Sequence, residues 1–217
     1  RREFLKKAGL LTAAFTVPTL NTQGETTQSR LSLKNTKIAV DDRWDVIVVG
    51  GGPGGCAAAI SAAREGAKTL LIEAMGQLGG MGTAGMVPAW CPFSDGEKII
   101  YKGIAERVFS ESKKGVPHIH YDNWVPINGE YLKVVYDDLV TSEGVSVLFF
   151  TTMAAVEMKR KGGVDAIVVA NKAGLSTYKA KVYIDCTGDG DLAAWAGADF
   201  VIGDESGSVQ EGTLCFT

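Results

Sequence analysis

Histidine and cysteine are scarce in this sequence, which has two histidines and four cysteines among its 217 residues. The cysteines are Cys56, Cys91, Cys186 and Cys215, and none forms a C-x-x-C pair or stands near a histidine at zinc-finger spacing. A metal site is therefore not expected. Cys56 lies in a predicted helix and Cys186 at the end of a predicted strand, where buried, inert thiols are expected. Whether an exported chain forms a disulfide is left open, because sequence alone does not pair the cysteines.

Concentrated charge is also lacking. The formal net charge is −3, and the lysines and arginines are scattered rather than gathered into one stripe. The electrostatic footprint of a nucleic-acid-binding protein is thus missing, and no nucleic-acid partner is expected. Hydrophobic residues make up 46% of the chain and charged residues 22%, which suits a globular protein with one core.

The N-terminal apolar stretch, residues 8–17, is short. Its length of about 10 residues falls well below the roughly 20 that a membrane-spanning helix needs, so no stable membrane span is expected. It follows Arg1 and Arg2, and this basic start predicts a signal peptide over residues 1–20. The sequence R-R-E-F-L-K-K resembles a twin-arginine signal, which implies export of the folded protein to the periplasm or beyond. A short amphipathic helix is the alternative, and residues 21–42 are interpreted as a polar linker.

A strand, a glycine-rich turn and a helix follow the linker. Residues 45–49 (D-V-I-V-V) form a β-branched run typical of a buried parallel strand. Gly50, Gly52 and Gly55 then satisfy G-x-G-x-x-G, and residues 56–64 predict an alanine-rich helix. This order is the context in which such glycines bind a dinucleotide.

Each residue of the turn has a predicted role. Gly50 permits the sharp turn, Gly52 lets the backbone approach a pyrophosphate, and Gly55 lets the helix press against the strand. Pro53 and Gly54 lie at the start of the helix, where free N–H groups and the macrodipole favour an anion. We therefore expect all five residues to bind the cofactor.

An acidic residue ends the second predicted strand. This strand covers residues 69–72, and Glu73 follows it about 20 residues after the glycines, where a carboxylate accepts hydrogen bonds from the adenosine ribose. A carboxylate there would repel the 2′-phosphate of NADP. The pattern favours a dinucleotide without that phosphate.

A glycine pair further along the chain distinguishes FAD from NAD as the predicted dinucleotide. Residues 74–85 carry Gly79 and Gly80 after the acid that ends the second strand, and this strand-acid-GG order is similar to that of flavoproteins in the glutathione-reductase-like superfamily. The stretch 44–87 resembles the FAD-dependent oxidoreductase family. The resemblance implies FAD as the cofactor, with Gly79, Gly80 and Met81 among its contacts.

A second resemblance lies at residues 183–194 (Y-I-D-C-T-G-D-G-D-L-A-A), which is similar to the family's I-D-A-T-G-D-G-D-L-A segment. Cys186 replaces the usual alanine, a small residue for a small one. The resemblance implies FAD contacts at Thr187 and Gly188, and Asp191 is a further candidate. By itself, such a run of Asp and Gly is a turn that needs no ligand.

The fold class predicted for residues 43–217 is α/β, a Rossmann-like FAD-binding domain with a mainly parallel central sheet and an antiparallel β-meander crossover. Helices are expected on one side of the sheet and the meander on the other. The resemblance also implies an adenine contact at the backbone near Met153. The remaining strands are predicted at 145–150, parallel, and at 153–157, 166–170 and 176–179, antiparallel.

A helical insert interrupts this pattern at about residues 88–144, with amphipathic helices at 104–109 and 131–140. The loop between the helices either lines a substrate pocket, with a histidine supplying a proton, or packs against the rest of the protein. The second interpretation is favoured, Cys91 is a similar candidate, and no catalytic residue is assigned. The loop contains His118, His120, Tyr121 and Trp124.

The predicted function is a two-electron, hydride-transferring reaction through FAD, with a small-molecule substrate and an electron acceptor or donor that the sequence does not identify. Alternatives are a fumarate-reductase-like or ketosteroid-dehydrogenase-like flavoenzyme, an NAD-binding Rossmann dehydrogenase, and a non-enzymatic binding protein with a nucleotide fold. The resemblance covers residues 44–200, so we expect the substrate domain to be largely missing.

Overall fold

The computed structural model describes residues 38–91, 94–95, 97–98, 100–117 and 125–215. The predicted signal peptide and most of the predicted linker lie outside the described residues, as do His118, His120, Tyr121 and Trp124.

A six-stranded sheet forms the centre of the described chain, with strand order β5-β2-β1-β8-β7-β6. Strands β5, β2, β1 and β8 run parallel, and β7 and β6 continue the sheet antiparallel. The α/β prediction with a mainly parallel sheet is confirmed. The strands are β1 (Ala39–Val49), β2 (Thr69–Ile72), β5 (Ser146–Leu148), β6 (Thr152–Met158), β7 (Val164–Asn171) and β8 (Gly174–Asp185).

Within the described residues, four α-helices accompany the sheet: α1 (Pro53–Arg64), α2 (Ile104–Ser112), α3 (Gly129–Ser142) and the short α4 (Asp191–Trp195). Apolar residues of α1 and α3 pack on one face of the sheet, where Val48 and Leu71 meet Ile60 and Leu132. These four side chains are almost fully buried, and such burial supplies the main favourable free energy of the fold.

The meander differs from its prediction in two respects. It does not form a separate layer, because β6 and β7 hydrogen-bond into the same sheet. Its side chains nevertheless cover the second face, where Met153, Ile167 and Val169 pack with Ile47 and Ile72. The strand predicted at residues 176–179 and the strand predicted to end at Cys186 are also one continuous strand, β8, because pairing with β1 holds the residues between them extended.

The insert contains the two predicted helices, α2 and α3, each slightly longer than expected. It also contains an unpredicted antiparallel pair, β3 (Ala89–Trp90) and β4 (Val125–Pro126). The Trp90 ring meets the Phe109 ring edge-on, with centroids 6.3 Å apart, which ties this pair to α2. Among the described residues, no helix is long and apolar enough to cross a membrane.

Candidate functional site

Steric contact requires glycine at two positions of the first turn. Gly50 has φ +99°, and a Cβ atom there would lie 2.1 Å from the carbonyl oxygen of Cys186. A Cβ atom at Gly55 would lie 1.7 Å from the carbonyl oxygen of Gly50. Both distances are far inside van der Waals contact. The turn is therefore pressed between the start of α1 and the end of β8, as the roles predicted for Gly50 and Gly55 require.

Gly52 is different because the space beside it is open. It caps the N-terminus of α1 with φ −69°, and no described atom lies within 4 Å of the position that its Cβ would take. No side chain of the described residues caps this helix, Pro53 is its first residue, and its first turn carries no acidic residue. The unpaired N–H groups and the positive end of the macrodipole thus face open space, which suits a pyrophosphate.

Glu73 stands at the carboxyl end of β2, as predicted, and the structure shows what orients it. One carboxylate oxygen accepts a hydrogen bond from the Gly51 N–H at 2.6 Å, and the other accepts one from the Met75 N–H at 2.6 Å. Each oxygen retains a second lone pair for a ribose hydroxyl. The sequence indicated a ligand contact, and Glu73 additionally anchors the glycine turn to β2.

The second glycine bend lies directly against the first. The Gly79 N–H donates to the Gly51 carbonyl at 2.9 Å, and a Cβ atom at Gly80 would come within 3.0 Å of the Gly52 Cα. Gly79 and Gly80 have φ values of +99° and +53°, which favour glycine. Met81 follows with a side chain that is 63% exposed. The structure thus brings together two segments that lie almost 30 residues apart in sequence.

The end of β8 forms the third side of the site, and Asp185 organises it. One Asp185 oxygen accepts from the Thr187 N–H at 3.0 Å and from the Thr187 hydroxyl at 2.8 Å, and the other accepts from the Ala193 N–H at 2.8 Å. Burial, the largest single influence, raises the pKa of Asp185, but these donors together hold its pKa below the ordinary value. Sequence reasoning missed this role of Asp185.

The remaining predicted FAD contacts lie in the loop after β8 and on β6. The Thr187 hydroxyl also accepts from the Asp191 N–H at 2.8 Å, so the side chain of Thr187 holds the loop together. Gly188 has φ +74° and open space beside it. The Met153 side chain is buried in the core, so only its backbone, on the edge strand β6, is available for the predicted adenine contact. That contact stays a prediction.

A cavity of about 270 Å³ adjoins the start of α1. Cys91 is exposed in it, whereas Cys56 is buried beneath the glycine turn, where burial raises the pKa of its thiol to about 12. Cys56 is thus the inert thiol that was expected. Trp90 and Ile127 are residues of this cavity that sequence reasoning missed, because β3 and β4 are too short to leave a pattern. The lining consists of Pro53, Met81, Gly82, Val87, Ala89, Trp90, Cys91, Tyr101 and Ile127.

Comparison with known proteins agrees with this geometry. The family model described as FAD dependent oxidoreductase matches residues 45–217, which includes every described segment of the site. The chain belongs to the FAD-dependent oxidoreductase family.

Relatives of this chain are matched over limited lengths. The mitochondrial dihydrolipoyl dehydrogenase of Pisum sativum is 49% identical over 57 residues, 26% of this chain and 11% of that protein. The fumarate reductase (cytochrome) of Shewanella frigidimarina is 32% identical over 125 residues, 56% of this chain and 21% of that protein. The chain therefore corresponds to a minor part of the length of these curated relatives.

Solved structures show the same fold. An anhydrotetracycline hydroxylase from Streptomyces rimosus superposes with a TM-score of 0.57 and 16% identity, covering 76% of this chain and 35% of its own. A geranylgeranyl bacteriochlorophyll reductase-like protein from Thermoplasma acidophilum gives a TM-score of 0.50 and 22% identity, covering 73% and 43% respectively. FAD is the cofactor of the family, and the open cradle at Gly52 beside the Glu73 carboxylate fits its diphosphate and ribose.

Proposed function

We propose that this chain is the cofactor-binding part of an enzyme that moves two electrons, as hydride, between FAD and a small-molecule substrate. The observation that carries the proposal is the junction of the two glycine bends with the end of β8 around the uncapped start of α1. Such a junction presents backbone N–H groups without side chains, which an extended, doubly charged dinucleotide requires.

The chain's own residues supply binding and orientation. The N–H groups at the start of α1 hold the diphosphate, and Glu73 accepts hydrogen bonds from the ribose. When bound, FAD supplies two-electron chemistry through N5 of its ring system. The cavity beside Pro53 and Trp90 is lined mainly by apolar groups, which favours displacement of water by an apolar part of a ligand.

A second candidate is reduction of fumarate, the activity named for the Shewanella relative. The alignment with that protein extends over 125 residues, well beyond the glycine segments. A reduced viologen dye that is oxidised by the purified protein only when fumarate is added would support this candidate. Oxidation at the rate seen without fumarate would remove it.

Export by the twin-arginine route is a further part of the proposal. Its support is the order of Arg1–Arg2, a short apolar stretch and a polar linker, which together lead into β1. This route carries folded proteins, so a protein that must bind its cofactor in the cytoplasm is a suitable cargo.

The visible absorption spectrum of the purified full-length protein that contains this chain tests the main proposal. We expect flavin bands near about 375 and 450 nm, and FAD in the supernatant after acid release and chromatography. A released nicotinamide dinucleotide would instead support the NAD-binding alternative. A colourless protein that fails to bind added FAD would remove the proposal.

A further inference from the structure

Phe150 has an unusual backbone for a bulky residue. It lies two residues beyond the end of β5, its φ is +50°, and its side chain is 71% exposed. The sequence predicts that the strand runs through this residue, and the structure shows that it does not. A left-handed conformation is unfavourable for an aromatic residue, and an exposed ring gains little from burial in return. Such residues cluster where proteins bind ligands.

Hydrogen bonds hold Phe150 beside the carboxylate expected to bind the ribose. The Phe150 N–H donates to the Met75 carbonyl at 3.1 Å, and the next N–H, of Thr151, donates to the Glu73 carbonyl at 3.0 Å. The Phe150 ring lies over Gly76, where a Cβ atom would come within 2.2 Å of the ring tip. The ring is therefore placed by its backbone and by a glycine beneath it, while most of its surface stays open.

The strand order places Phe150 where the base of the dinucleotide must lie. The diphosphate cradle is at the end of β1, and the Glu73 carboxylate is at the end of its neighbour β2. The next strand outward is β5, and Phe150 follows its end. A dinucleotide extended from the cradle across the ribose site thus brings its adenine to Phe150.

We propose that Phe150 is the stacking surface for the adenine of FAD, next to Met75, whose carbonyl accepts from the Phe150 N–H. This inference rests on the proposed FAD-dependent function and adds a residue that determines dinucleotide affinity. The aromatic face attracts a purine ring through dispersion and burial, and the thioether of Met75, 53% exposed, is suited to contact with aromatic rings.

Affinity for FAD in a series of Phe150 variants of the full-length protein tests the inference. We expect Phe150→Ala and Phe150→Gly to weaken FAD binding about tenfold or more, within the range of base–aromatic stacking, and Phe150→Tyr to stay within about twofold of the native protein. The glycine variant relieves the backbone strain while removing the ring, so it separates stacking from folding. FMN, which lacks the adenine, should bind all these variants as it binds the native protein.

Phe200→Ala is the matched control, because Phe200 is another exposed phenylalanine, 66% exposed, that follows α4. It should leave the dissociation constant of FAD unchanged. If native protein binds FAD and the alanine and glycine variants bind it equally well, or if the tyrosine variant loses as much affinity as alanine, Phe150 does not stack on adenine. If native protein binds no FAD, the failure lies with the proposed function.

Discussion

At the residue scale, the glycines of the first turn are required for different reasons. Gly50 and Gly55 are required by the protein itself, because a Cβ atom at either position would overlap a backbone carbonyl. Gly52 has no such neighbour among the described residues, so its lack of a side chain leaves room for a bound ligand. The same motif therefore contains folding residues and binding residues, and the three-dimensional structure separates them.

The first prediction uses this separation. Gly52→Ala should leave the thermal midpoint of the cofactor-free protein within about 2 °C of the native value, because its φ of −69° suits alanine, but should abolish or greatly weaken FAD binding. Differential scanning calorimetry and FAD titration measure the two quantities. Gly212→Ala, at another open glycine, is the control that should change neither. A Gly52→Ala protein that binds FAD normally would contradict the cradle.

The second prediction concerns Asp185. Asp185→Asn replaces an acceptor of three hydrogen bonds by an amide, and it should lower the free energy of unfolding by about 1–3 kcal/mol and weaken FAD binding. Since the pKa of Asp185 is held below its ordinary value of 3.8, its stabilisation is complete above that pH and is lost as the pH falls through the folded-state pKa. Urea unfolding at several pH values should show the native and variant proteins converging in acid.

Asp204 provides the control for Asp185. One of its carboxylate oxygens similarly accepts from the Ser206 N–H and hydroxyl and from the Ser208 N–H, in a loop beyond α4. Asp204→Asn should therefore leave FAD affinity unchanged. Equal losses of FAD affinity in both variants would show that the effect of Asp185 is not specific to the cofactor loop.

At the scale of elements, β8 joins the two parts of the sheet. It pairs in parallel with β1 along most of its length, from Ser176 to Asp185, but in antiparallel with β7 only from Gly174 to Tyr178. Beyond that point the Tyr183 hydroxyl joins β7 to β8, accepting from the Ala180 N–H at 2.9 Å and donating to the Asp165 carbonyl at 2.8 Å. One side chain thus satisfies two backbone groups where the ladder ends.

The third prediction follows from this bridge. Tyr183→Phe removes the hydroxyl, and the free energy of unfolding should fall by about 1 kcal/mol because two partly buried backbone groups lose their partner. Tyr178→Phe, on the same strand, is the control, since Tyr178 takes part in neither contact. Denaturant unfolding followed by circular dichroism measures the change, and an unaltered midpoint for Tyr183→Phe would contradict the bridge.

At the scale of the whole molecule, the layers explain why the site lies at one edge. Helices α1 and α3 cover one face of the sheet, and side chains of the meander cover the other. The carboxyl ends of β1, β2 and β8 stay accessible between them, and the segments that follow these strands form the site. This is the crevice at which open parallel sheets bind ligands.

The fourth prediction concerns the route of the whole protein. Replacing both Arg1 and Arg2 with lysine preserves the charge but removes the arginine pair, and it should retain the protein in the cytoplasm. Fractionation followed by immunoblotting measures this distribution. Replacing Lys6 and Lys7 with arginine is the control and should leave export unchanged, and an exported double-lysine protein would contradict the twin-arginine signal.

The sequence by itself determined the elements whose cause is local. Three such features can be recognised directly in the sequence: the β-branched run of β1, the alanine-rich α1 and the glycines between them. They are recognisable because turn geometry and helix propensity act over a few residues. The strand at residues 69–72, the acid after it and the second glycine pair were found for the same reason. These features, with the resemblance, were enough to predict the fold class and FAD.

Only the tertiary structure decided what depends on neighbours from distant sequence. Pairing with β1 makes β8 one strand across residues 180–182, and contact with the end of β8 explains why Gly50 cannot carry a side chain. The role of Asp185 and the strained, exposed position of Phe150 were likewise hidden, since a short polar loop and a pair of phenylalanines have many local conformations. Local preference specifies the elements, whereas packing and backbone pairing between them assemble the site.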